Sequence, residues 1–119
     1  MGQPVMHFEV IAKDATKLTD FYKKLFGWRP EEFPGMGYAM IHTEAKGGIS
    51  GGIGGEGNGL AAGMGIYVQV DDVEKFLAQA RKLGATKVLQ EPYDIPNVGR
   101  FAVFTDPEGN RIGLWKTTA

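Results

Sequence analysis

The sequence predicts an α+β fold, in which two βαβββ modules form a curved mixed sheet shaped as a cup, with one layer of helices outside. Segments whose apolar residues alternate with polar ones, as in half-buried strands, are interspersed with segments whose apolar residues recur at helical spacing. The pattern of the first half then recurs in the second half. We therefore expect a single domain over residues 1–119, with module one at about 4–60 and module two at about 64–118.

The first module opens with a predicted strand at Val5 to Ile11. Phe8 and Val10 alternate there with His7 and Glu9, which gives the strand one apolar and one polar face. Two further strands are expected later in this module, at Tyr38 to His42 and around Ser50 to Gly54. The second of these lies in a glycine-rich stretch, residues 47–65, that holds ten of the 18 glycines.

The helix of the first module is bounded by two residues that are typical of helix ends. Asp14 stands at an N-cap position, and Gly27 stands where a glycine commonly ends a helix. The apolar residues between them follow helical spacing: Leu18, Phe21, Tyr22, Leu25 and Phe26.

The second module repeats this order. Asp14 to Gly27 spans as many positions as Asp71 to Gly84, and either Asp71 or Asp72 is the expected N-cap of the second helix, Val73 to Leu83. The remaining predicted elements are a strand at Ile66 to Val70, a proline-containing loop at Glu91 to Gly99, a strand at Arg100 to Thr105, a turn at Asp106 to Asn110 and a strand at Arg111 to Lys116.

The composition excludes several classes of function. The chain has no cysteine, which removes thiol nucleophiles, iron–sulfur clusters and disulfides. Its 13 Lys and Arg against 14 Asp and Glu give a net charge of -1, so we expect no nucleic-acid partner. No apolar run is long enough to span a membrane, and no secretory signal precedes the first strand, so we expect no membrane partner and a cytoplasmic location.

Three segments carry a resemblance to a known family. Phe21 to Trp28 reads FYKKLFGW, Val70 to Asp72 reads VDD, and Gly99 to Trp115 contains FAVFTDPEGNRIGLW. In this order they resemble the vicinal oxygen chelate superfamily, which includes glyoxalase I, bleomycin-resistance proteins, fosfomycin-resistance enzymes and extradiol dioxygenases. The resemblance covers nearly the whole chain and implies paired βαβββ modules. We also expect the protein to be a homodimer.

The resemblance also implies a divalent metal held by four side chains, but this sequence keeps only one of them. His7 falls at the ligand position of the first strand, whereas the position that opens the second module falls at Gly65 and the two glutamate positions fall at Gly52 and Gly113. Glycine has no side chain to offer a metal. We therefore expect no metal and no other cofactor; if any metal ligand remains, it is His7.

An alternative is a rebuilt metal site. His7 and Glu9 point to one face of their strand, and with His42 they would have the composition of a two-histidine, one-carboxylate site for Zn, Ni, Fe or Mn. The protein would then be a glyoxalase-like lyase or isomerase, or a dioxygenase-like enzyme, in which Glu9 is the catalytic base. The simpler interpretation is that His7 and Glu9 pair with each other or with arginines.

The leading hypothesis is a metal-independent member of the superfamily that binds a drug or metabolite in the cup, by analogy with the drug-sequestering resistance proteins. Glycine at two ligand positions would clear volume on the cup floor and suit a planar or anionic organic ligand. Alternatives are a cup filled by its own side chains, or a module that only interacts with proteins. The residues expected to line the ligand pocket are His7, Glu9, Tyr38, Met40, His42, Gly52, Arg100, Arg111, Gly113 and Trp115.

Overall fold

In a computed structural model, two βαβββ modules follow one another along the chain, as the sequence predicts. The structure describes residues 2–33, 35, 37–57 and 60–118. The elements in order are β1 (Val5–Ala12), α1 (Ala15–Phe26), β2 (Arg29–Phe33), β3 (Tyr38–His42), β4 (Gly51–Gly55), β5 (Gly63–Gln69), α2 (Val73–Leu83), β6 (Lys87–Ile95), β7 (Gly99–Thr105) and β8 (Arg111–Thr117). They group into two compact units, with the first unit running from His7 to Met64. The second unit begins at Gly65 and also includes the residues up to Met6.

Both helices begin and end at the residues that their local chemistry favours. The Asp14 carboxylate accepts a hydrogen bond from the Lys17 backbone N–H at 3.0 Å, and Gly27 ends α1 with a φ of 73°. In α2 the cap is Asp72, whose carboxylate accepts from the Lys75 N–H at 3.0 Å. Asp72 rather than Asp71 is therefore the N-cap, and α2 has 11 residues where α1 has 12.

The sheet of the first unit has the strand order β2-β3-β4-β1, in which β1 and β4 are parallel and the other pairs are antiparallel. One face of this sheet packs against α1 and forms the core of the unit. The buried residues of that core are Val10, Ala39, Ile41 and Ile53, with Ala15, Leu18 and Tyr22 of α1 packed against them. No residue of α1 is itself fully buried, and Phe21, Leu25 and Phe26 are each more than half exposed.

The second unit repeats this arrangement with the strand order β5-β8-β7-β6. Here β5 and β8 are parallel, and the other two pairs are antiparallel. Its core joins one sheet face to α2 and consists of Val70, Val73, Leu77, Ala102 and Leu114. The α+β class and the βαβββ order of both modules are confirmed.

The prediction of a loop at Glu91 to Gly99 is wrong in its first half. Residues up to Ile95 belong to β6, whose pairing with β7 shifts register on both sides of Gln90. Pro92 lies in this strand, at the end of the strand order, where the missing N–H breaks no central ladder. Strand β2, which contains Pro30, occupies the equivalent end position in the first unit.

Within the described ranges, neither helix has the length and apolar character that crossing a membrane would require.

Candidate functional site

The polar residues singled out in the first module lie together on one face of the first unit's sheet. Val10, Ala39 and Ile53 pack on the α1 side, so the residues that alternate with them face the opposite way. Strand register agrees, since Glu9 is opposite Gly52, which in turn is opposite Met40. We call this the polar face; the expected pocket residues on it are His7, Glu9, Tyr38, Met40, His42 and Gly52.

Three side chains of the polar face form a hydrogen-bonded cluster. The Tyr38 hydroxyl donates to Glu9 Oε2 at 3.1 Å, and His7 Nε2 lies 3.1 Å from the same hydroxyl oxygen. Because the phenolic proton goes to Glu9, the hydroxyl oxygen can accept a hydrogen bond from the neutral His7 ring when the ring proton is on Nε2. Glu9 is only 5% exposed, which suits a carboxyl group whose hydrogen bonds are supplied by the protein. Burial also lowers the pKa of His7, which favours the neutral imidazole.

The tyrosine of this cluster lies directly on the glycines of β4. A Cβ built on Gly52 would be 1.8 Å from the Tyr38 hydroxyl oxygen, and one built on Gly54 would be 2.7 Å from its ring. These distances are far below van der Waals contact, so only glycine admits the ring in this position. The volume that Gly52 was expected to clear for a ligand is therefore occupied by Tyr38.

His42 does not join His7 and Glu9. Its Nε2 lies 2.8 Å from Glu31 Oε1, a carboxylate on the neighbouring strand β2. The structure therefore does not assemble the metal site expected from His7, Glu9 and His42. His7 and Glu9 are hydrogen-bonded to Tyr38, whereas His42 is paired with Glu31.

The second unit presents an aromatic counterpart. Leu114 packs in the α2 core, so Arg111, Gly113 and Trp115 face the opposite side, as alternation predicts. Tyr67 is opposite Gly113, and its ring lies 2.3 Å from the position of a Gly113 Cβ. Two of the three glycines at expected metal-ligand positions, Gly52 and Gly113, thus lie beneath a tyrosine ring of a neighbouring strand, β3 in the first unit and β5 in the second.

Three further rings form a row across this face of the second unit. Tyr93 packs edge-on against Phe101 at 6.1 Å between centroids, and Phe101 is 6.4 Å from Trp115. Trp115 covers Gly99, with ring atoms 2.5 Å from where its Cβ would be, and donates its indole N–H to Thr117 Oγ1. We call the face that bears Tyr67, Tyr93, Phe101, Arg111 and Trp115 the aromatic face.

Arg100 was expected in the pocket but lies on the α2 side of its sheet. It shares a face with Ala102 of the core, and its guanidinium pairs with Glu74 of α2 and with Asp94 at 2.9 Å. The paired Arg100 guanidinium lowers the pKa of Glu74, and the two carboxylates raise the pKa of Arg100. The expectation for Arg100 failed because the alternation of residues along β8 gives the face of β8 residues only. The face of a residue in β7 depends on how β7 is paired with β8, which the sequence does not show.

Sequence reasoning missed Tyr67, Tyr93 and Phe101 as residues of the aromatic face. Val68 packs on the α2 core, so its neighbour Tyr67 lies on the opposite face of the strand. This alternation could have identified Tyr67 from the sequence. Tyr93 could not be found in this way, because it was assigned to a loop.

An open cavity of about 420 Å³ lies elsewhere in the first unit, on the α1 side of the sheet. Its lining is apolar and includes Phe8, Tyr22, Trp28, Ile49 and Met64. It is therefore separate from the polar face, which the same sheet presents on its other side.

Comparison with known proteins gives the family. The profile described as "Glyoxalase/Bleomycin resistance protein/Dioxygenase superfamily" matches residues 5–114, nearly the whole chain. The chain belongs to this superfamily. A solved member from Vibrio splendidus 12B01 has a TM-score of 0.70 at 15% identity, with 98% of this chain and 100% of that one covered, which shows the shared fold.

Two curated relatives of this superfamily protein are longer than it. "Putative glyoxylase CFP32" of Mycobacterium bovis is 31% identical over 109 residues, covering 87% of this chain and 41% of that protein. "Anthracycline biosynthesis protein DnrV" of Streptomyces peucetius is 27% identical over 125 residues, covering 92% of this chain and 45% of that protein. The chain spans less than half the length of these relatives.

The residues of this superfamily member do not fit the metal site that the resemblance implies. Two carboxylate positions are Gly52 and Gly113, each beneath a tyrosine ring. At the third position, Gly65, a Cβ would lie 2.8 Å from the Arg111 carbonyl oxygen. In the part of the chain that the structure describes, no three His, Asp, Glu or Cys side chains group so as to hold a metal ion.

Proposed function

We propose that this protein binds a small planar organic molecule without using a metal. The observation that carries the proposal is made in each unit separately. A tyrosine ring lies over a glycine at an implied metal-ligand position, Tyr38 over Gly52 and Tyr67 over Gly113. An aromatic surface beside a few polar groups is the usual character of a site for an organic ligand.

Two further features support a planar ligand. The row of Tyr93, Phe101 and Trp115 offers ring faces and edges for stacking, and Tyr93 is 59% exposed. The name of one relative also refers to anthracycline biosynthesis, a chemistry of fused aromatic rings.

Fluorescence can test ligand binding because the chain has two tryptophans on different faces. Trp28 lines the apolar cavity beside α1, whereas Trp115 belongs to the aromatic face. The Trp28→Phe variant therefore reports on Trp115 alone, and Trp115→Phe reports on Trp28. We expect planar aromatic compounds to quench the tryptophan fluorescence of the Trp28→Phe variant in a saturable manner. The fluorescence of the Trp115→Phe variant should stay unchanged.

Thermal unfolding provides an independent measure in the same screen. A ligand present at about 100 times its Kd stabilises the folded state by about 2.7 kcal/mol. If no planar compound either quenches Trp115 or raises the unfolding temperature, the proposal is wrong.

Metal independence is tested separately by titration with Zn²⁺ and Ni²⁺ and by elemental analysis of the purified protein. We expect no stoichiometric metal. Tight binding of one ion per chain that is lost in His7→Ala would favour the metal-dependent lyase or isomerase instead.

The proposal includes a homodimer. Phe21, Leu25 and Phe26 leave an apolar stripe on α1 more than half exposed, which a second copy of the chain would cover. Light scattering is expected to give twice the chain mass of 12.9 kDa. A mass that stays at one chain across concentrations rejects the dimer.

A further inference from the structure

The Tyr38 side chain is fixed across three strands of the first unit. Its backbone belongs to β3, its ring lies over Gly54 and Gly52 of β4, and its hydroxyl is held by two residues of β1. The ring fits only because both β4 residues beneath it lack a Cβ. A side chain held in this way has one position, which defines the surface of the polar face at this point.

We propose that Tyr38 is a specificity-determining residue that sets the size of the aromatic ligand accepted on the polar face. This inference rests on the proposed binding function. With the ring in place, a ligand on this face meets the edge and face of Tyr38 and cannot reach the backbone of Gly52. Without the ring, the same floor consists of two adjacent glycine positions and is deeper by the thickness of an aromatic ring.

Ring and hydroxyl have separable effects. The ring fills space, whereas the hydroxyl connects Glu9 to His7 and keeps both side chains in place. Tyr38→Phe removes the connection and keeps the volume filled. Tyr38→Ala removes both, so the difference between the two variants isolates the effect of size.

Polar chemistry on this face favours uncharged ligands. Tyr38 is hydrogen-bonded to the Glu9 carboxyl and to His7, a histidine whose burial lowers its pKa. Neither offers a cation for an acidic ligand. A planar molecule with a hydroxyl group, which can both donate and accept, matches these partners better than a carboxylate does.

The experiment measures the affinities of phenol, 2-naphthol and 2-hydroxyanthracene, which differ only in the number of fused rings. Wild type, Tyr38→Phe and Tyr38→Ala are compared. Tyr22→Ala serves as the control because it removes a tyrosine ring from the α1 side of the same unit, away from the polar face. We expect Tyr38→Ala to shift the preference from the one-ring to the three-ring compound by about tenfold or more. Tyr38→Phe and Tyr22→Ala should keep the wild-type ratio within about threefold.

The outcomes distinguish this inference from the proposed function. If wild type and all variants bind none of the three compounds, both fail. If they bind with the same preference in wild type and Tyr38→Ala, only the role of Tyr38 is wrong. An equal shift in Tyr22→Ala would likewise overturn the assignment to Tyr38. Should Tyr38→Ala fail to fold, Tyr38→Leu fills only part of the space above Gly52 and is expected to shift the preference in the same direction by a smaller factor.

Discussion

The Tyr38 hydroxyl oxygen would lie only 1.8 Å from a Cβ on Gly52, so the tyrosine and the glycine of these two adjacent strands depend on each other. Glycine in the middle of a strand is normally unfavourable, because it offers no side chain to pack and loses more entropy on folding. Here an aromatic side chain from the next strand supplies the missing contact. The same relationship joins Tyr67 to Gly113 and Trp115 to Gly99 in the second unit.

Gly52→Ala is expected to destabilise the protein by about 1–3 kcal/mol, the usual cost of overpacking a filled site. The Tyr38 ring can move away from the new methyl group only by giving up its hydrogen bonds to His7 and Glu9. Urea denaturation of wild type and variant measures the difference in the free energy of unfolding.

Gly55→Ala is the matched control, since Gly55 is in the same strand and a Cβ there meets nothing within 4 Å. In the Tyr38→Ala background, Gly52→Ala should cost at least about 1 kcal/mol less than in wild type. Additive effects of the two substitutions would contradict the contact.

Acidification should destabilise the fold through His7. Burial lowers the pKa of His7 in the folded protein below its ordinary value of 6.5, which the unfolded chain keeps. At a pH between the folded-state pKa and the unfolded-state pKa, the unfolded chain therefore binds more protons than the folded one. Stability therefore falls as the pH drops through about 6.5 and is restored at higher pH. The unfolding temperature at about pH 7.5 and about pH 5 measures this dependence.

His7→Gln should flatten that part of the pH profile, whereas His42→Gln, which removes the other histidine, should leave it in place. Equal profiles for wild type and His7→Gln would show that the imidazole is not responsible.

The two neighbouring aspartates before α2 should differ sharply in their contribution to stability. Asp72→Ala removes the acceptor for the Lys75 N–H and is expected to cost about 0.5–2 kcal/mol. Asp71→Ala, one position earlier, should change stability by less than about 0.5 kcal/mol. Chemical denaturation of both variants tests the assignment of the cap, and the reverse order would contradict it.

Arg100→Gln should weaken the fold without altering ligand binding. Its partners Glu74 and Asp94 lie on the α2 side, and all three groups are accessible to solvent, so the loss should shrink in high salt. The measurements are unfolding temperatures at low and high ionic strength and the affinity of a planar ligand for the variant. Arg111→Gln, on the aromatic face, is the comparison, and a loss of affinity in Arg100→Gln alone would count against the proposed site.

Local sequence signals predict the helices and most strands of this protein well. Asp14 and Gly27 determine the ends of α1 by hydrogen bonds to backbone groups only a few residues away. Alternation likewise assigned His7 and Glu9 to one face. These features depend on short stretches of chain, which is why composition and spacing reveal them.

Features that depend on the register between distant strands could not be predicted. Tyr38 reaches Glu9 across 29 positions, and no local pattern indicates that its ring would lie over a glycine of the strand between them. Arg100 was assigned to the wrong face for the same reason. β6 was missed because Pro92 is typical of loops and is tolerated in this strand only at the end of the sheet.

The prolines in β2 and β6 have a consequence for solubility. A strand at the end of a sheet exposes a row of N–H and C=O groups that another chain can extend into a fibril or an aggregate. Pro30 and Pro92 each leave their end strand with one backbone donor fewer, and the pairing of β6 with β7 is irregular. In each unit, the end strand that contains a proline thus carries a built-in barrier to uncontrolled β-sheet growth.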